Sequence, residues 1–224
     1  MPLIALAADF SHGPLNRPYT DSRAWHLGFS IGMHAQDVRF AHTGFTTSDG
    51  QTWFMDQPSY SPGFCVGGLV DFRLNDYFNV RLSPGLWFGN RNIKMIDTTT
   101  GGTESQNMKS TFVVLPMDVK FSSVRYRNSR PYITAGFMPA FDVAKKRVEP
   151  LKFKSADCYL TFGLGCDFYL PFFKLNPEIK FCLGLTDVLA HKRPELADDP
   201  DGLKFTQSLR KATSRMIVLT FYFE

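Results

Sequence analysis

The stretch S-R-M-I-V-L-T-F-Y-F-E, residues 214–224, decides the fold. Ile217, Leu219, Phe221 and Phe223 fall on one side, and Met216, Val218, Thr220, Tyr222 and Glu224 on the other. That is the period-two alternation of a β-strand, and one face is wholly apolar. Such a face must lie against a core or against lipid. Closing the sheet on itself would also remove the unpaired edge that a last strand otherwise presents.

Composition narrows the choice. Of the 224 residues, 22 are Phe, 8 Tyr and 3 Trp, an aromatic excess that favours strands and suits membrane interfaces. Mean hydropathy is −0.15, and no run reaches the roughly 18 apolar residues of a transmembrane helix. Barrel strands escape that criterion because alternation halves their apolar content. The formal net charge of +4 is small and dispersed, which argues against a nucleic-acid partner.

Seven further segments repeat the alternation. In 24–40, Trp25, Leu27, Phe29, Ile31, Met33 and Ala35 oppose His26, Gly28, Ser30, Gly32, His34 and Gln36. One side is bulky and apolar; the other is small or polar, as the inside of a narrow barrel requires. The same pattern runs through 62–73, 78–88, 111–123, 131–143, 157–170 and 177–187. The connections are long at 41–61, 90–109, 144–156 and 188–213, and short at 74–77, 124–130 and 171–175. Long and short alternate along the chain.

The fold expected is therefore all-β: an eight-stranded antiparallel up-and-down transmembrane β-barrel of the outer-membrane type, with short periplasmic turns, long external loops and both termini periplasmic. A soluble lipocalin-type barrel would turn its apolar residues inward to a ligand. Here the small, glycine-rich face carries the charges Asp71, Arg81, Asp118, Lys120, Asp167, Glu178 and Lys180. They are expected to form a luminal polar network of structural role, with Asp71 and Arg81 projecting to the same side of neighbouring strands. Unpaired, such buried charges would each cost several kcal/mol.

The chain opens M-P-L-I-A-L-A-A, whose Ala5-Leu6-Ala7 resembles the end of a secretory signal or else an ordinary tail. The organisation expected is a residual signal end at 1–8, a periplasmic lead-in at 9–23 and one barrel domain at 24–224. Cys158 and Cys166 sit eight positions apart on one strand, roughly 27 Å at strand rise, and cannot pair. With Cys65 and Cys182 they read as small packing residues. No Cys/His spacing suggests a metal site and no cofactor is expected. The glycines of G-F-C-V-G-G and G-L-G lie within strands and open no nucleotide loop.

Chemistry has few footholds. His34 near Asp37, His42 near Asp49 and His191 near Glu195 are the candidates for an acid–base pair at the rim, and none stands at a recognisable spacing. A non-enzymatic protein is expected; the competing reading is a small barrel acting on lipid or surface glycan. The basic stretches 125–130 and 145–147 are candidate contact or lipopolysaccharide-facing patches.

Several blocks stand out: N-R-P-Y from Asn16, H-L-G-F-S-I-G-M-H-A-Q-D-V-R-F from His26, P-G-F-C-V-G-G-L-V-D-F-R-L-N-D-Y-F-N-V-R-L-S-P-G-L-W-F-G-N-R from Pro62, P-E-I-K-F-C-L-G-L-T-D-V-L from Pro177, and the 214–224 strand. Together they resemble the PorT/SprT proteins of the type IX secretion system of gliding and secreting Bacteroidota. The resemblance implies an outer-membrane barrel needed for export of cargo bearing a C-terminal secretion signal, without chemistry of its own. Implied partners are outer-membrane lipid and lipopolysaccharide, and other components of the secretion system, either the large translocon barrel or the periplasmic ring proteins. The chain departs from the usual aromatic final residue, with Glu224 last and Phe223 before it.

Overall fold

The computed structural model describes residues 15–44, 53–56, 61–97, 101–144, 153–190 and 208–224. Among them are eleven strands: β1 (Trp25–His42), β2 (Trp53–Asp56), β3 (Ser61–Arg73), β4 (Phe78–Leu82), β5 (Gly85–Asp97), β6 (Thr103–Val114), β7 (Met117–Ser122), β8 (Ser129–Asp142), β9 (Ala156–Tyr169), β10 (Lys174–Gly184) and β11 (Leu209–Phe223). Every pairing is antiparallel. Strand β1 lies between β3 and β11, followed by β10, β9 and β8. From β8 the ladder passes through β7 to β4 and through β6 to β5, and both β4 and β5 pair with β3. Followed round, the pairings return to their start. The result is an all-β barrel of outer-membrane type whose ring has eight staves.

The excess of strands over staves has a local cause. Two staves are each cut by a proline, at Ser83-Pro84 between β4 and β5 and at Leu115-Pro116 between β6 and β7. Proline donates no ladder hydrogen bond, and the two breaks lie side by side, with the Ser83 amide donating to the Pro116 carbonyl at 3.1 Å. The ladder resumes at once: the Gly68 amide donates to the Pro84 carbonyl at 2.9 Å. Side-chain parity survives both cuts, since Arg81, Ser83 and Trp87 are all buried, as are Val114, Asp118 and Lys120.

Other strands outrun the alternation that announces them. The connection expected at 90–109 is mostly a hairpin, paired from Asn90↔Lys109 to Ile96↔Thr103. Its exposed Asn90, Lys94, Ser105, Asn107 and Lys109 are polar, so the segment reads as loop although Ile93 and Met95 point inward and are buried. Likewise β2 lies within the first long connection and pairs with the top of β5. Strand β11 starts at Leu209, before the stretch quoted above, and β10 at Lys174.

The bulky residues look outward. Leu27, Phe137 and Leu164 are 58%, 53% and 60% exposed, while Met138 and Tyr159 on the opposite face are fully covered. Phe29 and Phe223, cross-strand partners, stack on the outside at 4.9 Å and 9°. Inside, the filling comes in layers. Val38, Met55, Ile93, Met95, Phe153, Leu189 and Leu209 make an apolar cluster towards the long connections. Below it Cys65, Trp87, Phe112, Met138, Tyr159, Cys182 and Met216 form a second. The lowest layer, towards the short turns, is charged. Cys158 and Cys166 face outward, half-buried, and all four cysteines are free.

Candidate functional site

Because strand parity sends every second side chain inward, β3, β4, β7, β9 and β10 each deliver charges to the lower half of the interior. Arg81 is central. Its guanidinium lies 3.1 Å from Asp71 Oδ2, 3.1 Å from Glu178 Oε2 and 3.5 Å from Glu224 Oε1. It also donates to the Tyr132 hydroxyl at 3.4 Å and sits 4.7 Å above the Tyr222 ring. A planar fork with five donors can serve three carboxylates and two rings at once, which an ammonium cannot.

The remaining charges close around it. Lys180 donates to Asp118 at 2.5 Å and lies 3.0 Å from Glu178. Thr161 donates to the other Asp118 oxygen at 2.6 Å. Lys120 meets both Asp167 oxygens at 2.8 Å and lies 4.1 Å from the centre of the Tyr132 ring. Asn79 donates to Asp71, and Lys174 pairs with Glu224. Arg81 and Asp71 are completely buried, and Asp118, Lys120, Asp167 and Glu178 are 1% exposed.

All seven residues expected in the lumen, Asp71, Arg81, Asp118, Lys120, Asp167, Glu178 and Lys180, thus lie in one interior layer. Lys174, Glu224, Tyr132, Tyr222 and Asn176 complete it without having been singled out. A signal existed for two of them. Lys174 keeps step with Glu178 and Lys180 once β10 is extended downward, and Glu224 follows Thr220 and Tyr222 on the inward side of β11.

The histidines sit elsewhere. His34 is 3% exposed in the interior, stacked at 5.3 Å on Trp87, whereas Asp37 is on the opposite face of β1. His42 accepts a hydrogen bond from the Met55 amide at 3.0 Å and stacks on Phe54 at 4.2 Å. Asp49, His191, Glu195 and the basic stretch 145–147 lie outside the described residues, as do the expected signal end at 1–8 and the first part of the lead-in.

The rest of the lead-in is docked. A turn of 3-10 helix, Thr20–Ser22, lies across the short-turn end. Asp21 accepts from the Tyr169 hydroxyl at 2.6 Å and lies 3.6 Å from Arg125 and 3.8 Å from Arg130. Arg125 also donates to the Arg17 carbonyl at 3.2 Å and stacks 3.5 Å over Tyr169. The turn at 124–130, expected to be a solvated or contact patch, spends two of its arginines holding the segment that precedes the barrel.

The chain is similar in shape to OprG of Pseudomonas aeruginosa, at 13% identity and TM-score 0.45, over 89% of this chain and 91% of that one. It is also similar to the N-terminal β-barrel domain of Pseudomonas aeruginosa OprF, at 12% identity and TM-score 0.38, over 86% and 96%. A third is Ail, the attachment invasion locus protein of Yersinia pestis, at 12% identity and TM-score 0.37, over 90% and 98%. No curated protein matches the sequence. The outer membrane protein beta-barrel domain family matches residues 10–190, most of the chain, and the protein belongs to that family of bacterial outer-membrane β-barrels.

Proposed function

We propose that this barrel is an accessory or structural component of the type IX secretion and gliding machinery, required for export of cargo proteins and without catalysis of its own. The observation that carries the reading is the charged layer around Arg81, which joins residues from β3, β4, β10 and the end of β11 across the interior. With apolar clusters above it, that layer fills the described interior with packed and ion-paired side chains rather than lining a channel for a polypeptide. Work by such a protein falls to its surfaces: the loops, the short-turn rim and the segment before β1. The blocks that resemble PorT/SprT proteins are what supports this choice of machine. The translocon barrel or the periplasmic ring proteins are the partners this reading assigns, with both termini periplasmic.

The test is genetic. Deleting the gene in its native host should abolish secretion of cargo carrying the C-terminal signal, and wild-type protein should restore it. Replacement of His42 and His191 by Ala should restore export equally well. Intact secretion after deletion overturns the assignment. Loss of export in a folded histidine variant would favour the small-enzyme alternative.

A further inference from the structure

The short-turn end carries a charge pattern that the interior network does not absorb. Arg17, Arg23, Arg73, Arg125, Arg127 and Arg130 surround it, against Asp21 and Asp76 among the described residues. Directly beside this ring the lipid-facing belt begins: Trp25, Leu27 and Phe29 on β1 are 56%, 58% and 57% exposed. Between the two lies a pocket of about 540 Å³ lined by Arg17, Arg23, Trp25, Leu27 and Glu224.

The two arginines there are set differently. Arg17 is pinned in a left-handed backbone conformation, φ 48°, and donates to the Glu224 carbonyl at 3.0 Å. Arg23 is exposed, and no carboxylate among the described residues pairs with it. Tyr19, 81% exposed, stands next to the same turn.

We infer that this pocket binds an anionic phospholipid, its phosphate between Arg17 and Arg23 and an acyl chain along Trp25 and Leu27. Each half of the lipid meets its complement in the order a bilayer imposes. Guanidinium groups recognise phosphate through paired donors, an indole sits at headgroup level, and the leucine beneath it faces hydrocarbon. The pocket is continuous with the lipid-facing belt, which distinguishes a membrane lipid from a soluble acidic peptide as its occupant. The site rests on the outer-membrane placement alone and not on the export role. Only the leaflet it faces depends on the proposed orientation.

Trp25 is its own reporter. The full chain, with Trp53→Phe to remove a second indole, is folded into phosphatidylcholine bilayers containing either brominated phosphatidylglycerol or brominated phosphatidylcholine. Trp87 is only 7% exposed, inside the barrel, and is shielded from lipid. Brominated phosphatidylglycerol should quench Trp25 in clear preference to brominated phosphatidylcholine at equal mole fraction. Arg23→Gln should reduce that preference about fivefold, the worth of one arginine at an anionic surface. Circular dichroism confirms that the variant is folded. Arg17→Gln should act in the same direction. Equal quenching by the two lipids overturns the inference, as does a preference unchanged in folded Arg23→Gln. Loss of the preference in millimolar inorganic phosphate would assign the pocket to a free anion and overturn the lipid reading. None of these outcomes alters the result of the secretion assay, so the two proposals fail separately.

Discussion

Arg81 Nη1 lies 3.1 Å from Glu178 Oε2, across the interior from β4 to β10 and 97 positions along the chain. The contact ties together two sides of the ring that share no ladder hydrogen bond. Breaking a buried pair by removing one partner leaves the other undercompensated, and here three carboxylates converge on one guanidinium, although Glu178 and Glu224 each keep a lysine. Arg81→Met should therefore lower the unfolding free energy by about 3–5 kcal/mol. Arg81→Lys should recover only part of it, since an ammonium cannot hold Asp71, Glu178 and Glu224 together. Urea unfolding in detergent micelles, followed by tryptophan fluorescence, measures both. A loss under about 1 kcal/mol, the range of a surface pair, would show that the cluster does not brace the barrel.

Lys120 and Asp167 form a second, separate ion pair across the ring, from β7 to β9, beside the pairs that Lys180 and Lys174 make. Lys120→Met and Asp167→Leu should each destabilise by about 3–5 kcal/mol, whereas the double variant should lose far less than their sum, because no charge is then stranded. Additive losses in the double-mutant cycle would mean that the two groups do not interact.

Glycine placement makes a sharper contrast. A Cβ at Gly136, on the inward face of β8, would fall 2.1 Å from the Met117 carbonyl oxygen and 2.7 Å from Asp118 Cα. At Gly68, on the outward face of β3, the nearest atom would be 4.0 Å away. Gly136→Ala should cost about 1–3 kcal/mol by overpacking, and Gly68→Ala should be neutral to within about 0.5 kcal/mol. Equal unfolding midpoints for the two variants would refute the inward and outward assignment.

Asp21 holds the segment before β1 through Tyr169, Arg125 and Arg130. Asp21, Arg125 and Arg130 are partly exposed, so each ion pair is worth about 1 kcal/mol at most, and only Tyr169 is buried. Asp21→Asn should leave the barrel's unfolding midpoint nearly unchanged while trypsin cleaves after Arg23 roughly fivefold faster, since local opening exposes the site without global unfolding. Unchanged cleavage would mean that other contacts, such as the hydrogen bond from Asn16 Nδ2 to the Tyr169 carbonyl at 3.0 Å, suffice to dock it.

Much of this molecule is legible along the chain and the remainder is legible only across it. Alternation is a property of the strand backbone itself, so from 24–40 to 214–224 the sequence alone determined which residues look into lipid and which inward, including all seven luminal charges. What it could not determine was who meets whom. Arg81 finds Glu178 and Glu224, and Asp21 finds Tyr169, because ring closure and register bring them together. Nothing local in either partner encodes that distance. The same holds for the neighbouring breaks at Pro84 and Pro116, which coincide only once their strands are paired. It holds also for 90–109, where polar outward residues conceal a hairpin whose inward Ile93 and Met95 have no apparent reason to be apolar until Met55, Val38 and Leu189 are packed against them. Period two is set by bond geometry; partnership is set by long-range closure, and that belongs to the tertiary structure.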